Sequence, residues 1–230
     1  STIPKNAEKI NNGISSLIYD SEFQFIKADE QDDCFNAVIN AYLAEIKRVG
    51  IENTCILCPM KSRGKNCVNE YNKIIQDIVN PIDTKKPEIH LKNRIFRLGD
   101  RIMQTKNADG VSNGETGFIV QIKKDEDDNE IVGIKFDGKN HIFWYMADDL
   151  NDITLAYSIT IHKSQGSEYK TVIIPMMKSY YVMLKRNLLY TAVTRAKERV
   201  ILAGQKQAVF MAINKTETDK RQKKKKKRIS

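Results

Sequence analysis

Two amphipathic helical patterns on either side of one short apolar stretch place the strongest constraint on how this chain folds. Apolar residues recur at steps of three and four over 35–49 and again over 68–79, and the patterns end at Gly50 and at Asn80-Pro81. The stretch between them, Thr54 to Cys58, has the length and composition of a buried strand. This order of helix, strand and helix predicts an α/β fold.

A different sequence pattern interrupts the α/β order over residues 99–150. Short β-prone runs alternate there with turn signals such as Asn113-Gly114 and Asp137-Gly138, which is typical of a small antiparallel barrel. The predicted strands of this block lie at 101–106, 116–123, 131–136 and 141–146.

The α/β pattern resumes after the block. We predict a turn or short helix, then strand, helix, strand and helix, at 155–163, 171–175, 187–197, 199–203 and 205–213. The predicted organisation is therefore one discontinuous α/β domain, 1–98 with 151–214, into which a barrel at 99–150 is inserted.

The net charge of +9 is concentrated at one end of the chain. Residues 215–230 contain nine basic and two acidic side chains, so 1–214 carry a net charge of only +2. We expect a disordered basic tail there, able at most to bind nucleic-acid phosphates without sequence preference. Neither a long apolar run nor a signal peptide is recognisable, so we expect a cytoplasmic protein with no membrane partner.

The four cysteines raise the question of a zinc site, because Cys55 and Cys58 have C-x-x-C spacing and Cys67 follows. On a strand, however, positions three apart face opposite sides, and no second ligand pair completes a tetrahedral set. We therefore expect buried free thiols, Cys34 included, and no metal site.

The densest group of reactive side chains lies at residues 159–169. Hydroxyl, imidazole and ammonium groups there are suited to phosphate oxygens, and they belong to Thr160, His162, Lys163 and Ser164. Gly166 allows the backbone to approach a ligand closely, and Glu168 is able to accept a hydrogen bond from a sugar hydroxyl. The alternative is a polar surface turn.

A second cluster, 186–198, places a cation at the border of an apolar helical face. On a helical wheel Arg195 lies beside Thr191 at the edge of the arc that includes Leu189 and Val193. Such an arginine is either a structural ion-pair partner or a group that reaches an anion at an interface. The spacing does not decide between these two roles.

Together these two clusters resemble a known family. Residues 159–169 resemble motif V, and residues 189–197 resemble motif VI, of superfamily 1 helicases. Within that superfamily the sequences of both motifs are most similar to those of RecD-like helicases. Shorter similarities run through most of the chain: Asn6-Ala7-x-x-Ile10-Asn11-x-Gly13, Cys58-Pro59-Met60, Val68-Asn69, Gln76, Asn80-Pro81, Gly99-Asp100-Arg101, Met103-Gln104 and Asn113-Gly114.

The resemblance implies a specific fold and a use of ATP. In RecD-like helicases two RecA-like motor domains of the P-loop NTPase type clamp one ATP, and the second contains an inserted SH3-like β-barrel. This chain is similar to that second motor domain. By the same similarity, Arg195 would be the arginine finger that reaches the γ-phosphate, and Gly166, Gln165 and Glu168 would face the nucleotide, with Glu168 at the ribose.

The resemblance also implies a single-stranded DNA partner and a 5′ to 3′ direction of translocation. Thr160 and His162, together with Lys163 and Ser164, would contact the DNA backbone. One short segment would then touch both ATP and DNA.

The departures from the family pattern are equally informative. No G-x-x-x-x-G-K-[ST] sequence and no recognisable Walker B strand occur in the 230 residues. We therefore expect the ligands of the Mg²⁺ that accompanies ATP to lie in a missing N-terminal motor domain of the same polypeptide, and this chain alone not to hydrolyse ATP. Subunits of a nuclease and helicase complex are further candidate partners.

Two other functions remain open at this stage. One is a stand-alone, non-catalytic module that binds single-stranded nucleic acid through the barrel and the tail, and the other is a protein-interaction domain built on the barrel. Phe143, Trp144 and Tyr145 bear on the first, because exposed aromatic rings stack on bases. Strand alternation places Trp144 on the opposite face from the other two, so we expect most of these rings in the core.

Overall fold

The computed structural model describes residues 1–216, which form two compact units. The first unit contains residues 1–68 together with 159–216, and the second contains residues 69–158. Of the predicted basic tail only Lys215 and Thr216 are among the described residues, and the remainder lies outside them.

The described chain contains five α-helices and twelve β-strands. In chain order they are α1 (Thr2–Asn11), β1 (Phe23–Lys27), α2 (Gln31–Val49), β2 (Thr54–Cys58), α3 (Val68–Val79), β3 (Glu88–Leu91), β4 (Arg94–Arg97), β5 (Arg101–Gln104), β6 (Thr116–Lys124), β7 (Glu130–Phe136), β8 (Phe143–Met146), β9 (Ile153–Leu155), β10 (Ser158–Thr160), β11 (Tyr169–Met176), α4 (Arg186–Val193), β12 (Ala196–Gly204) and α5 (Lys206–Asn214).

The first unit is built on a five-stranded sheet of order β1-β12-β11-β2-β10. The pairs β1/β12, β12/β11 and β11/β2 are parallel. All five residues of β2 are buried, as are seven of the eight in β11, which is typical of parallel strands covered on both faces. The predicted α/β fold class is confirmed.

Helix α2 packs on this sheet through one face, on which Cys34, Val38 and Tyr42 are completely buried. Full burial of an aliphatic side chain contributes roughly 1.5–3 kcal/mol, so the repeat of apolar residues on α2 both predicts the helix and stabilises its packing. The acidic residues at its start, Asp32 and Asp33, lie where the helix dipole favours negative charge.

The second unit contains a five-stranded antiparallel sheet of order β8-β7-β6-β5-β9, the β3–β4 hairpin and most of α3. Its core includes Ile102, Val132, Ile134, Phe136 and Leu150. The predicted barrel began at residue 99, whereas the compact unit begins at residue 69 and includes the elements that precede the barrel.

A buried carboxylate organises the second unit. Asp100 is completely buried and accepts hydrogen bonds from Gln76 Nε2 at 2.7 Å, Asn80 Nδ2 at 2.8 Å, the Tyr157 hydroxyl at 2.8 Å and the backbone N–H of Arg97 at 2.7 Å. A buried polar group is costly unless it is hydrogen-bonded in this way. The contacts link α3, the β4–β5 turn and the segment after β9.

The aromatic run in β8 follows the predicted alternation. Tyr145 is buried and its hydroxyl donates to Gln104 Oε1 at 2.8 Å, while the Phe143 ring packs against Phe136 with centroids 5.5 Å apart. Trp144 is 43% exposed on the opposite face. Burial of Tyr145 raises the pKa of its phenol to about 12, with nearby carboxylates adding to the effect.

Two predicted elements were wrong. The helix predicted over 187–197 ends at Val193, because β12 begins at Ala196 and the Thr194 hydroxyl donates back to the carbonyl of Tyr190 at 2.9 Å, a contact that competes with the helix ladder. The turn or helix predicted over 155–163 contains β10 and only a 3₁₀ turn at His162–Ser164.

The four cysteines are free and buried, as predicted. Burial raises the pKa of the Cys34 thiol to about 12. Among residues 1–216 no group of three or more histidine, cysteine or acidic side chains is arranged to hold a metal ion. Within the same range no helix combines the length and the apolar character needed to cross a membrane.

Candidate nucleotide and nucleic-acid site

The segment 161–169 runs from the carboxyl end of β2 to the turn that precedes β12. At one end the Ile161 N–H donates to the carbonyl of Cys58, the last residue of β2, at 2.9 Å. At the other end the Tyr169 N–H donates to the carbonyl of Arg195, just before β12, also at 2.9 Å. Because β2, β11 and β12 are parallel, the segment joins the carboxyl end of one strand to the amino end of another.

A tight turn at the centre of the segment fixes its path. Ser164 is completely buried, and its hydroxyl donates to the Ile161 carbonyl at 2.6 Å, while the Ser167 N–H donates to the Ser164 carbonyl at 3.0 Å. Gly166 has φ of +82°, a conformation that favours glycine, and open space surrounds the position of an added Cβ. Ser164 thus stabilises the turn, and its hydroxyl is turned away from any external ligand.

The predicted DNA-binding side chains on either side of this turn are more accessible. Thr160 is half-buried and its Oγ1 accepts a hydrogen bond from the Lys163 N–H at 3.3 Å. His162 is exposed and Lys163 half-buried. Thr160 and His162 line the same open cavity, of about 850 Å³, which is also lined by the loop that follows β2.

Arg195 lies in the turn between α4 and β12 and not on the helix. Its Nε donates to the Thr191 carbonyl at 3.2 Å, its Nη2 to the Thr194 hydroxyl at 3.3 Å and its Nη1 to the Ser167 carbonyl at 3.2 Å. A guanidinium carries five N–H donors, so two have no acceptor within residues 1–216. The side chain is therefore held in one orientation, partly exposed, with donors to spare.

The remaining predicted nucleotide-binding residues are exposed beside Arg195. Gln165, Gly166 and Glu168 all lie on the surface, and Glu168 Oε2 is 2.8 Å from Lys197 Nζ. The hydrogen bond and charge of Lys197, with a smaller contribution from Arg195, hold the pKa of the Glu168 carboxyl below its usual value. The carboxylate is thus ionised at neutral pH and close to the guanidinium.

The geometry brings the two sequence clusters into direct contact. Ser167 and Arg195 are 28 residues apart in the chain and share a hydrogen bond. An oriented guanidinium with unused donors, next to a carboxylate and an accessible glycine, is suited to bind a phosphate group and a sugar hydroxyl. The alternative role of Arg195 was that of a structural ion-pair partner. Within the described residues no carboxylate lies within ion-pair distance of its guanidinium.

The loop 59–66 is a further feature of this face, and none of its residues was among the predicted binding residues. It contains Lys61, Arg63 and Lys65, and all three line the cavity that Thr160 and His162 also line. The regular spacing of three cations around Gly64 was the signal in the sequence.

Models of two protein families match the chain. Residues 155–203 match the UvrD-like helicase C-terminal domain, and residues 71–136 match the SH3 domain of ATP-dependent RecD-like DNA helicases. The first match contains both reactive clusters, and the second begins close to the start of the second compact unit.

Similar proteins give the same assignment. The chain is 30% identical to the ATP-dependent RecD2 DNA helicase of Deinococcus radiodurans over 65% of its length and 20% of that protein. It is 27% identical to the RecBCD enzyme subunit RecD of Buchnera aphidicola (subspecies Schizaphis graminum), over 70% of the chain and 26% of that subunit. The chain thus spans about a quarter or less of the length of these relatives.

A solved structure shares the fold. The Pif1 helicase from Bacteroides, in a complex with ADP-AlF3 and single-stranded DNA, matches 99% of this chain and 54% of its own with a TM-score of 0.53 and 18% identity. Both family models and these relatives therefore agree that the chain is similar to RecD-like DNA helicases.

Proposed function

We propose that this chain forms the second motor domain of an ATP-dependent RecD-like DNA helicase, with Arg195 as its arginine finger. The observation that supports the proposal most directly is the hydrogen bond from Arg195 Nη1 to the Ser167 carbonyl, which orients the guanidinium while two donors stay available. Such a group stabilises the charge that develops on a phosphoryl group during transfer.

The nucleotide would lie against the neighbouring surface. Gly166 allows close approach of the backbone, Gln165 offers an exposed amide, and the ionised Glu168 would accept a hydrogen bond from a ribose hydroxyl. Lys197 would then have to share Glu168 with the ribose, since the two side chains now form an exposed ion pair.

The single-stranded DNA would lie at the other end of the same segment, with Thr160 and His162 as its contacts and Lys163 beside them. Ser164 is not included, because its buried hydroxyl stabilises the turn. Since residues 161–169 are hydrogen-bonded to the end of β2 and to Arg195 itself, a shift of the segment at the DNA end would displace Arg195.

Hydrolysis would require a partner domain in the cytoplasm, where we place the protein. The chain contains no P-loop sequence, so the phosphate cradle and the Mg²⁺ ligands would come from an N-terminal motor domain of the same polypeptide. The name of the Buchnera relative suggests RecBCD-type subunits as further partners.

The test compares ATP hydrolysis, with and without single-stranded DNA, by this chain and by the same chain extended upstream in its native reading frame. We expect turnover only in the extended protein, and stimulation of that turnover by DNA. Hydrolysis by the chain alone would contradict the requirement for a second motor domain.

A non-catalytic module that binds single-stranded nucleic acid is the second candidate. It is favoured by Trp144, which is 43% exposed with Lys123 Nζ 4.5 Å from its ring centroid. In that case affinity would survive Arg195→Ala and Glu168→Ala, would fall when residues 220–228 are deleted, and the extended protein would not hydrolyse ATP.

A further inference from the structure

The antiparallel sheet of the second unit exposes an apolar surface on the side away from its core. Side chains alternate between the two faces of a strand, so those next to the buried Ile119, Val132 and Tyr145 point outward. We call this surface the outer face, and it consists of Val120, Gln121 and Lys123 of β6, Ile131, Gly133 and Lys135 of β7, Trp144 and Met146 of β8, and Ile142 just before β8.

Four large apolar side chains of the outer face are accessible to water. Val120, Ile142, Trp144 and Met146 are each between 39% and 49% exposed. Strand pairing brings them together, since Met146 of β8 lies opposite the half-buried Ile131 of β7. Single apolar residues scattered over a surface are ordinary, whereas a group on adjacent strands indicates a surface that binds a partner.

Gly133 supports the indole at the centre of the outer face. It lies directly opposite Trp144, and a Cβ added to it would be 2.9 Å from Ile142 Cγ2 and 3.0 Å from Trp144 Cζ3. These two side chains therefore fill the space above the glycine. Glycine weakens the interior of a strand, but here the missing side chain lets Trp144 pack across the sheet. An indole that is already held in this way loses less entropy when a partner binds to it.

The charged members of the outer face are both cations. Lys123 and Lys135 are exposed, and neither has a hydrogen bond or ion pair within residues 1–216. The Nζ of Lys123 is 4.5 Å from the centroid of the Trp144 ring, so its charge lies within the apolar surface. Carboxylates flank the face instead, in the turn after β6, at the start of β7 and after β8, and they belong to Asp125, Glu126, Asp127, Asp128, Glu130, Asp148 and Asp149.

This arrangement favours a peptide over a nucleic acid as the partner. Single-stranded nucleic acid binds to a series of aromatic rings along a cationic groove, because a phosphate recurs at every nucleotide. The outer face offers one ring, which already has an ammonium group beside it, and a strand that ran past the two lysines would meet the flanking carboxylates. A peptide carries charge only at some positions, and its apolar side chains pack against aliphatic groups as well as against an indole.

We propose that the outer face is a docking surface for a partner protein, which it binds through a short segment of acidic and apolar residues. The apolar side chains would pack against Trp144 and Met146, and a carboxylate would pair with Lys123 or Lys135. The segment 217–230 of this chain is basic, so its charge does not suit these lysines. The proposal is independent of the ATP and DNA contacts proposed above, which lie in the first unit, and it competes only with the use of Trp144 for nucleic acid.

The experiment uses the fluorescence of the full chain, because Trp144 is its one tryptophan and reports on the outer face. The probe is a capped peptide of about twelve residues with the repeat Leu-Ser-Asp, and its counterpart has the repeat Leu-Ser-Lys. We expect the acidic peptide to shift the emission to shorter wavelength, since the indole leaves water, and to bind about tenfold more tightly than the basic peptide. Equal binding of the two peptides, or binding of neither, would overturn the proposal.

Charge reversal tests the two lysines. In Lys123→Glu/Lys135→Glu we expect the preference to invert, so that the basic peptide binds about tenfold more tightly than the acidic one. Lys85→Glu/Lys92→Glu is the matched control, because both lysines are exposed in the second unit, lie outside the outer face and change the net charge equally. The basic segment 217–230 is present in every protein compared. The same inversion in the control would overturn the contact, because the effect would then be one of net charge.

The apolar contact is tested by fluorescence anisotropy of the acidic peptide, labelled with fluorescein, in about 0.15 M salt. We expect about tenfold weaker binding by Trp144→Ala and about threefold weaker binding by Met146→Ser, whose side chain is exposed and contributes little to folding. Ile82→Ala, at an exposed apolar residue elsewhere in the second unit, should bind as the unaltered chain does. Unchanged binding by both Trp144→Ala and Met146→Ser would overturn the docking surface.

Any other occupant of the outer face would also overturn the proposal. An oligothymidylate of about twelve nucleotides that shifts the Trp144 emission and displaces the acidic peptide would assign the face to nucleic acid. Emission that shifts with the concentration of the chain alone would assign it to a second copy. Loss of peptide binding in the chain extended upstream in its native reading frame would show that the upstream part covers the face. None of these results concerns Arg195 or ATP hydrolysis, so the proposed function is tested separately.

Discussion

The Ser167 carbonyl accepts a hydrogen bond from Arg195 Nη1 at 3.2 Å, and the Arg195 carbonyl accepts one from the Tyr169 N–H at 2.9 Å. These reciprocal contacts join the turn that precedes β11 to the turn that precedes β12. We therefore expect a ligand that displaces one turn to change the orientation of the guanidinium in the other.

For the protein extended upstream in its native reading frame, the proposed function predicts that Arg195→Ala reduces the turnover number for ATP by about 10³-fold or more, because charge on the transferring phosphoryl group loses its partner. Affinity for ATP should change much less. Arg195→Lys keeps the charge but not the fork of donors, and should recover little activity. Steady-state hydrolysis with saturating DNA measures the effect, and an unchanged turnover number would exclude the arginine-finger role.

Thr160, His162 and Ser164 allow strand contact to be separated from local stability. We expect Thr160→Ala/His162→Ala to weaken binding of single-stranded DNA with little effect on the unfolding midpoint, because both side chains face the cavity. Ser164→Ala should do the reverse, with a loss of about 0.5–1.5 kcal/mol in the free energy of unfolding and unchanged affinity. Anisotropy and urea denaturation of both variants test the division, and it fails if Ser164→Ala reduces affinity.

Periodicity and apolar runs predicted the helices α2 and α3 and the central strands, because burial on the sheet determines these positions. The elements α1, β1, β3, β4, β9 and β10 were not predicted. The strands β1 and β12 pair although they lie near opposite ends of the sequence. The five residues of β1 carry no local pattern that would indicate so distant a partner.

The candidate site shows a similar division. Composition identified the segment around Gly166, but the helical wheel placed Arg195 on α4, since local periodicity does not reveal that Thr194 ends the helix and β12 starts directly after it. The contact with Ser167 depends on the parallel pairing of β11 and β12, and sequence spacing alone does not predict that pairing.

A buried carboxylate in the first unit predicts a pH-dependent stability. Glu45 is 4% exposed and accepts hydrogen bonds from the Thr171 hydroxyl at 2.6 Å, Arg199 Nη1 at 2.6 Å and Arg48 Nε at 3.0 Å. Burial alone would raise the pKa of Glu45, but these hydrogen bonds and the charge of Arg199 outweigh burial and hold the pKa below its usual value.

Because the folded pKa is depressed, the stabilisation by Glu45 is complete above its unfolded value of about 4.3 and is lost as the pH falls through the folded value. We expect Glu45→Gln to lower the free energy of unfolding by about 1–3 kcal/mol at neutral pH. The gap, that is, the difference in the free energy of unfolding between the unaltered chain and the variant, should narrow near pH 3. Guanidinium denaturation at both pH values measures it. Glu8→Gln, on an exposed face of α1, is the control, and a gap equally wide at both pH values would contradict the linkage.

Glu168 and Lys197 make a prediction about the nucleotide sugar. Lys197→Ala should raise the pKa of the Glu168 carboxyl toward its usual value, since the cation 2.8 Å away is its main stabilising partner, and carbon NMR of the carboxyl group measures the shift. For the protein extended upstream in its native reading frame, the proposed function predicts that Glu168→Gln raises KM for ATP by about tenfold and leaves the turnover number almost unchanged, because a hydrogen bond to a charged group is weakened.

The sugar contact itself is tested with deoxynucleotides. If Glu168 binds a ribose hydroxyl, the preference of the unaltered helicase for ATP over either 2′-deoxy-ATP or 3′-deoxy-ATP should disappear in Glu168→Gln, since the variant binds ATP no better than the analogue that lacks the hydroxyl. Glu198→Gln is the matched control, because Glu198 is exposed nearby but pairs with Arg48 at 3.2 Å. A preference retained in Glu168→Gln would show that the carboxylate contacts no ribose hydroxyl.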